Sequence, residues 1–271
     1  MDGTAKAGRL AGKVAMVVGA GSSGPGWGNG KATAVLFARE GAKVFCVDIN
    51  PAAAEETVGI IRGEGGTAQA CRADVAKAAD VEAMVQRCLE VFGRIDVLVN
   101  NAAVRPDGDF LTVDEEEWHR VQNINFYSVF HLTRACVPGM IEKGWGRVIN
   151  IASAHGLVAS VNKSAYVAAK HGIVGLTKVT ALETGGSGVT CNAICPGWVL
   201  TPLVKKQIEA RAAASGKSYE EEKLALVAEK TPSKDFSTPA QIGGLAVFLC
   251  SASADQITGA PLSIDGGWMA Q

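Results

Sequence analysis

Tyr166 and Lys170 stand four residues apart in SAHGLVASVNKSAYVAAK, residues 153–170, where Ser153, His155 and Lys163 are further groups able to donate, accept or carry a proton. On a helix that spacing puts the phenol and the ammonium on one face. A free tyrosine titrates near pH 10 and is a poor base at neutrality. A nearby ammonium favours the phenolate, and lowering the pKa by about three units corresponds to roughly 4 kcal/mol of differential interaction. The pair reads as a general acid/base. YxxxK also arises by chance on amphipathic helices, so the reading leans on its surroundings: a serine thirteen residues upstream at a strand end, and Asn125 in the preceding helical stretch. Lys163 lies near a helix start, where the dipole disfavours a cation; an anionic ligand would account for it. The plainer alternatives are a solvated surface lysine and, for His155, an ordinary loop residue.

These groups need a frame, and the chain supplies one. Short apolar runs, VAMVV (14–18), KVFCV (43–47), IDVLV (95–99), RVINIA (147–152), VTCNAI (189–194) and PLSI (261–264), alternate with helix-like segments. Near-continuous apolarity suits strands of a parallel sheet covered on both faces, so the pattern predicts a doubly wound α/β sheet. In 80–92, Val81, Met84, Val85, Cys88, Leu89 and Phe92 form a helical stripe. Thr112 with Glu115, and Thr238 with Gln241, have the spacing of capping boxes. Residues 201–235 break the rhythm with a charged insertion carrying two short helices, either a solvated excursion or a lid beyond a strand's C-terminal end.

Directly after the first run comes GAGSSGPGWGNGKA (19–32), a glycine-rich loop between strand and helix, the setting in which backbone N–H groups and a helix N-terminus receive a pyrophosphate. Asp48 ends the second strand, placed to accept from a ribose 2′-hydroxyl and to repel a 2′-phosphate, which favours NAD over NADP. Its alternative is a turn residue before Asn50 and Pro51. Further along the same rim, Asp74 and Val75 would meet the adenine, and Asn100 and Asn101 the ribose. Asx turns or helix caps are the alternatives there.

Composition excludes several classes. The formal net charge is −1, which gives no electrostatic reason to expect nucleic acid or an anionic membrane surface. MDGTAKAGRL lacks the apolar core of a leader, and no later run approaches membrane-spanning length, so a cytoplasmic protein without membrane partners is expected. The seven cysteines mostly occupy apolar segments and the four histidines are scattered, so neither a disulfide nor a metal site is expected.

With this glycine loop, Asn125, Ser153 and the Tyr166–Lys170 pair in order, the chain resembles the short-chain dehydrogenase/reductase family over nearly its whole length. The resemblance implies a single Rossmann-like doubly wound parallel sheet with helices on both faces. Residues 1–271 would form one dinucleotide-binding catalytic domain, with 201–235 as a substrate lid. It implies Ser153 as donor to the reacting oxygen, Tyr166 as general acid/base, and Asn125 as support for a proton-relay water. Lys170 would depress the tyrosine pKa and hold the nicotinamide ribose. Gly19, Gly26 and Gly28 align with the three loop glycines, and Pro196, Gly197 and Thr201 in PGWVLT match the nicotinamide-side loop.

From about residue 147 onward the likeness narrows to the bacterial D-3-hydroxybutyrate dehydrogenases within that family. It implies NAD-dependent interconversion of (R)-3-hydroxybutyrate and acetoacetate by a homotetramer. His155, Lys163 and Gln207 would hold the carboxylate, and Trp198 and Trp268 would enclose the methyl end. Alternatives are a longer 3-oxo acid, a sugar or a cyclic alcohol as substrate, or a non-catalytic dinucleotide sensor. The chain departs from the pattern in a glycine loop longer than usual, in Val18 and Ala103, and in Arg105, where those enzymes usually carry glutamine. Arginine there can pair bidentately with a carboxylate, point to solvent, or suit a larger acid.

Overall fold

A computed structural model describes residues 8–270. Most of MDGTAKAGRL, read above for a leader, and the terminal Gln271 lie outside them. Seven parallel strands form one sheet: β1 (Val14–Val18), β2 (Lys43–Asp48), β3 (Thr67–Arg72), β4 (Val97–Asn100), β5 (Gly146–Ile151), β6 (Val189–Pro196) and β7 (Pro261–Ile264). Their spatial order is β3-β2-β1-β4-β5-β6-β7, so the winding reverses between β1 and β4. A crevice opens at such a point, outside the strands' carboxyl ends.

Alternation along each strand feeds two cores. Ala15, Val17, Val44 and Cys46 pack with Val35 and Phe37 of α1 (Asn29–Arg39), Val58 and Ile61 of α2 (Pro51–Gly63), and residues of a helix near the C-terminus, Pro239–Leu249. Met16, Val18, Phe45 and Val47 face the other way, against Val81, Met84 and Cys88 of α3 (Ala78–Phe92) and Leu132 and Cys136 further along. Both faces are therefore covered, which explains the apolar runs. β3 is the strand those runs omit. It is an edge strand, TAQACR, with one buried residue, so it lacks the continuous apolarity of the central strands.

After β4 a single helical column runs through α4 (Glu115–Gln122), one π-helical turn (Asn123–Tyr127) and α5 (Ser128–Glu142). Its N-cap is Asp114, whose side chain accepts from Glu117 N, and not Thr112. Thr112 and Val113 instead turn back on the Asp109 carbonyl, which consumes the residues a box at Thr112 would need. α6 (Ser164–Glu183) follows β5. The insertion contains α7 (Pro202–Ser215) and α8 (Tyr219–Ala228), and α9 (Pro239–Leu249) opens with the full capping box of Thr238 and Gln241. In α3 the buried stripe is Val81, Met84, Val85 and Cys88, while Leu89 is exposed. No described helix is long and apolar enough to cross a membrane.

Candidate active site

The crevice at the β1/β4 reversal holds a groove of about 730 Å³ lined by the glycine loop, Asp48, Asp74, Val75 and Asn101. The loop is pinned from behind. Gly21 N donates to Asp48 Oδ2 at 2.9 Å, Asn101 Nδ2 donates to the Gly19 carbonyl at 2.7 Å, and Thr57 Oγ1 donates to the Ala20 carbonyl at 2.8 Å. Asp48 also accepts from Asn50 N through Oδ1, at 3.0 Å, so the turn role and the groove-lining role coexist in one carboxylate. Asp74 behaves likewise: it lines the groove while accepting from Ala76 N and pairing with Lys77. Asn100 is buried and donates to Asn150 Oδ1, bracing β4 on β5.

Two glycines carry the closest approaches. A Cβ on Gly30 would lie 1.9 Å from the Gly19 carbonyl oxygen, and one on Gly21 would lie 2.8 Å from Asp48 Oδ2. Neither is among the three aligned above, although the loop's six glycines contained the signal. Gly26 lies outside the groove, in a neighbouring depression beside Trp27, and Gly28 is the N-cap of α1.

The groove adjoins a chamber of about 190 Å³ whose walls include Ser153, Tyr166, Lys170, Arg105 and the two tryptophans. Ser153 sits just past β5, and its Oγ accepts from His155 N at 3.1 Å. Its O–H stays available to donate, to Tyr166 or to an oxygen in the chamber. It is hydrogen-bonded to Tyr166, whose pKa burial raises while the Ser153 bond and the Arg105 charge pull it back. Lys170 Nζ donates to the Ile151 carbonyl at 2.7 Å and lies 5.6 Å from the Tyr166 ring. Its burial brings its pKa down to about 8. Pro196, Gly197 and Thr201 close the side toward the groove, and Thr201 caps α7 by accepting from Val204 N.

Asn125 takes no part in the chamber lining. It is fully buried in the π-helical turn, where Oδ1 accepts from Val104 N and Nδ2 donates to the Val104 carbonyl, both at 2.8 Å. This two-way clasp sets the backbone from which Arg105 springs. The Arg105 guanidinium donates to Gln207 Oε1 on α7, stacks 5.5 Å from the Trp198 ring, and keeps a buried Nε without a partner. It points into the site. Trp198 stacks on Trp268 at 6.4 Å, Trp268 meets the His155 ring edge-on at 5.2 Å, and His155 meets Tyr166 edge-on at 6.1 Å.

His155 is a neutral imidazole, its pKa brought down to about 4 by burial and by the charges of Lys163, Arg105 and Lys230. Its Nε2 is paired with Ser160 Oγ at 2.8 Å. Lys163 occupies the N-cap position of α6 and pairs with Asp107 at 3.7 Å. It lines a second cavity of about 380 Å³ on the outer side of His155, Trp198 and Trp268, and not the inner chamber.

A family profile described as enoyl-(acyl carrier protein) reductase, of the short-chain alcohol dehydrogenase type, matches residues 25–269. The chain belongs to the short-chain dehydrogenase/reductase family. It is 50% identical to a D-beta-hydroxybutyrate dehydrogenase of Cupriavidus necator over 97% of this chain and 100% of that one. A second D-beta-hydroxybutyrate dehydrogenase, from Rhizobium meliloti, is 45% identical over 90% of this chain and 95% of its own. Among solved structures, a protein described as a short-chain dehydrogenase/reductase from Burkholderia xenovorans superposes with a TM-score of 0.87 at 35% identity, covering 98% of this chain and 99% of that one.

Membership makes the protein an oxidoreductase and implies a nicotinamide dinucleotide. The groove fits such a group. Ser22 Oγ and Asn29 Oδ1 are buried there without partners, and α1 begins at Gly28 with no side-chain cap, so its first N–H groups face the loop's cradle. Ser22 and Asn29 escaped the sequence reading because nothing in their type distinguishes them from ordinary loop residues.

Proposed function

We propose that this short-chain dehydrogenase uses NAD to interconvert (R)-3-hydroxybutyrate and acetoacetate. The observation that carries the proposal is Arg105: a guanidinium in the same chamber as Ser153 and Tyr166, with an unpartnered buried Nε. A neutral alcohol gives no reason to place it there, whereas a carboxylate satisfies it. The chamber's roughly 190 Å³ suits a small acid, since pockets for drug-sized ligands begin at about 300 Å³. The two relatives named for D-beta-hydroxybutyrate add independent support.

In the oxidation direction Tyr166 takes the hydroxyl proton, and Ser153 donates a hydrogen bond to the same oxygen as it becomes a carbonyl. NAD, when bound, supplies the acceptor for the carbinol hydride. Lys170, spending one N–H on Ile151, has two left for the ribose, while the charge that favours the Tyr166 phenolate is that of Arg105. Arg105 and Gln207 hold the carboxylate, Lys163 adds positive potential from the outer cavity, and His155 contributes a neutral ring that fixes Tyr166 and Trp268. Trp198 and Trp268 enclose the methyl end. Asn125 positions the Val104–Arg105 backbone through one bond accepted from and one bond donated to Val104.

Asp48 supports NAD over NADP, because its carboxylate is held at the groove by two backbone N–H groups and would repel a 2′-phosphate. The exposed Tyr127 and Phe130 near the start of α5, with Val179 and Leu182 on α6, support the homotetramer as partner-covered surface. Burial of six of the seven cysteines as small hydrophobes suits a cytoplasmic setting. The testing measurement is nicotinamide reduction with (R)- and (S)-3-hydroxybutyrate, each with NAD and NADP. Turnover confined to the (R) acid with NAD is expected. Equal turnover with NADP would remove the role given to Asp48, and no turnover with either enantiomer would remove the substrate.

A further inference from the structure

The first turn of α1 holds a lysine that the chemistry above leaves unused. Lys31 has a side chain only 3% exposed, and it sits at a helix N-terminus where the dipole opposes a cation and no acid occupies the turn. Burying an ammonium there is costly unless it is paired and hydrogen-bonded. Its Nζ pairs with Glu56 Oε1 of α2 at 2.5 Å, donates to the Gly26 carbonyl at 3.1 Å, and lies 5.5 Å from the Trp27 ring. Glu56 is itself 57% exposed and lines the dinucleotide groove together with Asp48.

The placement explains how the long glycine loop keeps its shape. Its near half is pinned at Ala20 by Thr57 and at Gly21 by Asp48. Residues 22–27 form no such bonds of their own: among the described residues, the Lys31 bond to Gly26 is the one hydrogen bond made to that stretch. The loop from Gly19 to Gly28 spans ten residues, and the unpinned stretch is its middle. A longer loop has more conformations to lose on binding, and a single buried anchor removes many of them beforehand.

We infer that the Lys31–Glu56 pair is a positioning device for the dinucleotide's pyrophosphate, tying the far half of the glycine loop to α2 and setting dinucleotide affinity without entering proton or hydride transfer. The inference rests on the groove being the dinucleotide site and is independent of which acid is oxidised. Its test is NADH binding by fluorescence, without any acid present, for the wild type, Lys31→Met, Glu56→Gln and the double variant. Each single variant should bind about tenfold more weakly, equivalent to about 1.4 kcal/mol, with a smaller loss in kcat at saturating dinucleotide. The double variant should be no weaker than the weaker single one, because one interaction is lost in all three. Unchanged NADH affinity in the singles, losses that add in the double, or a loss confined to kcat would each overturn it. Should Lys31→Met fail to fold, Glu56→Gln alters an exposed carboxylate and carries the test. A wild type that binds no NADH would instead overturn the groove reading beneath it.

Discussion

The dinucleotide groove is built largely from backbone at the ends of β1, β2 and β4, whereas the chamber beyond Tyr166 is built from side chains on widely separated segments. In the groove, bonds such as Gly21 N to Asp48 and Asn101 to the Gly19 carbonyl hold main chain in place, and the sheet topology brings those strand ends together in any case. In the chamber, Arg105 meets Gln207 across 102 residues of sequence, and the ring series runs from Trp198 through Trp268 and His155 to Tyr166. A backbone-built site follows from the fold. A side-chain-built one rests on individual groups such as the Arg105 guanidinium, so one substitution can alter what it holds.

Tyr166 stands where the two regions meet and gives the sharpest way to separate them. Tyr166→Phe keeps the ring contact with His155 and removes the hydroxyl, so kcat should fall by about a thousandfold, within the usual range for a lost general acid/base. NADH affinity should hold within a few-fold, because the groove does not depend on the phenol. A parallel loss of NADH binding would show that the groove and chamber are not separable.

The same contrast governs how much was legible in the sequence. Central strands such as VAMVV and GRVINI are buried on both faces and read as mainly apolar runs, while the half-covered edge strand TAQACR does not. Asp48, Asn101 and the glycine loop could be placed because strand ends in a doubly wound sheet share one rim. Gly21 and Gly30 could not be ranked above their neighbours, since their necessity lies in what packs against them. At the acid end, residue types suggested an anion pocket, but not that Lys163 would pair with Asp107 and line the outer cavity, nor that the Asn125 amide would be spent on Val104. Those outcomes depend on which loops meet, and no local spacing records that.

Arg105→Gln tests the chamber's dependence on one side chain. Glutamine keeps a hydrogen-bonding partner for Gln207 and loses the charge, so the KM for (R)-3-hydroxybutyrate should rise about tenfold, the lower end of what a charge-assisted bond contributes, with a smaller change in kcat. The KM for NAD should stay put. If the KM for the acid is unchanged, Arg105 is not its anchor and the carboxylate lies with Lys163 in the outer cavity.

The smallest expected effect concerns His155, where the chamber's charges act on folding. Its pKa lies near 4 in the folded protein, below the ordinary 6.5, because burial and three nearby cations oppose an imidazolium. Between those values the unfolded chain binds more protons than the folded one, so the neutral ring's contribution to stability is complete above pH 6.5 and is lost as pH falls toward 4. From pH 6.5 to 5.5 the loss should be about 1 kcal/mol, read as a shift in urea midpoint. His155→Gln, which has no titration there, should flatten that part of the profile by the same amount. An identical slope in the variant would place the acid sensitivity elsewhere and leave His155 as a packing residue of the ring series. A flattened slope would show that burial, with the cations around it, keeps neutral the ring that fixes Tyr166.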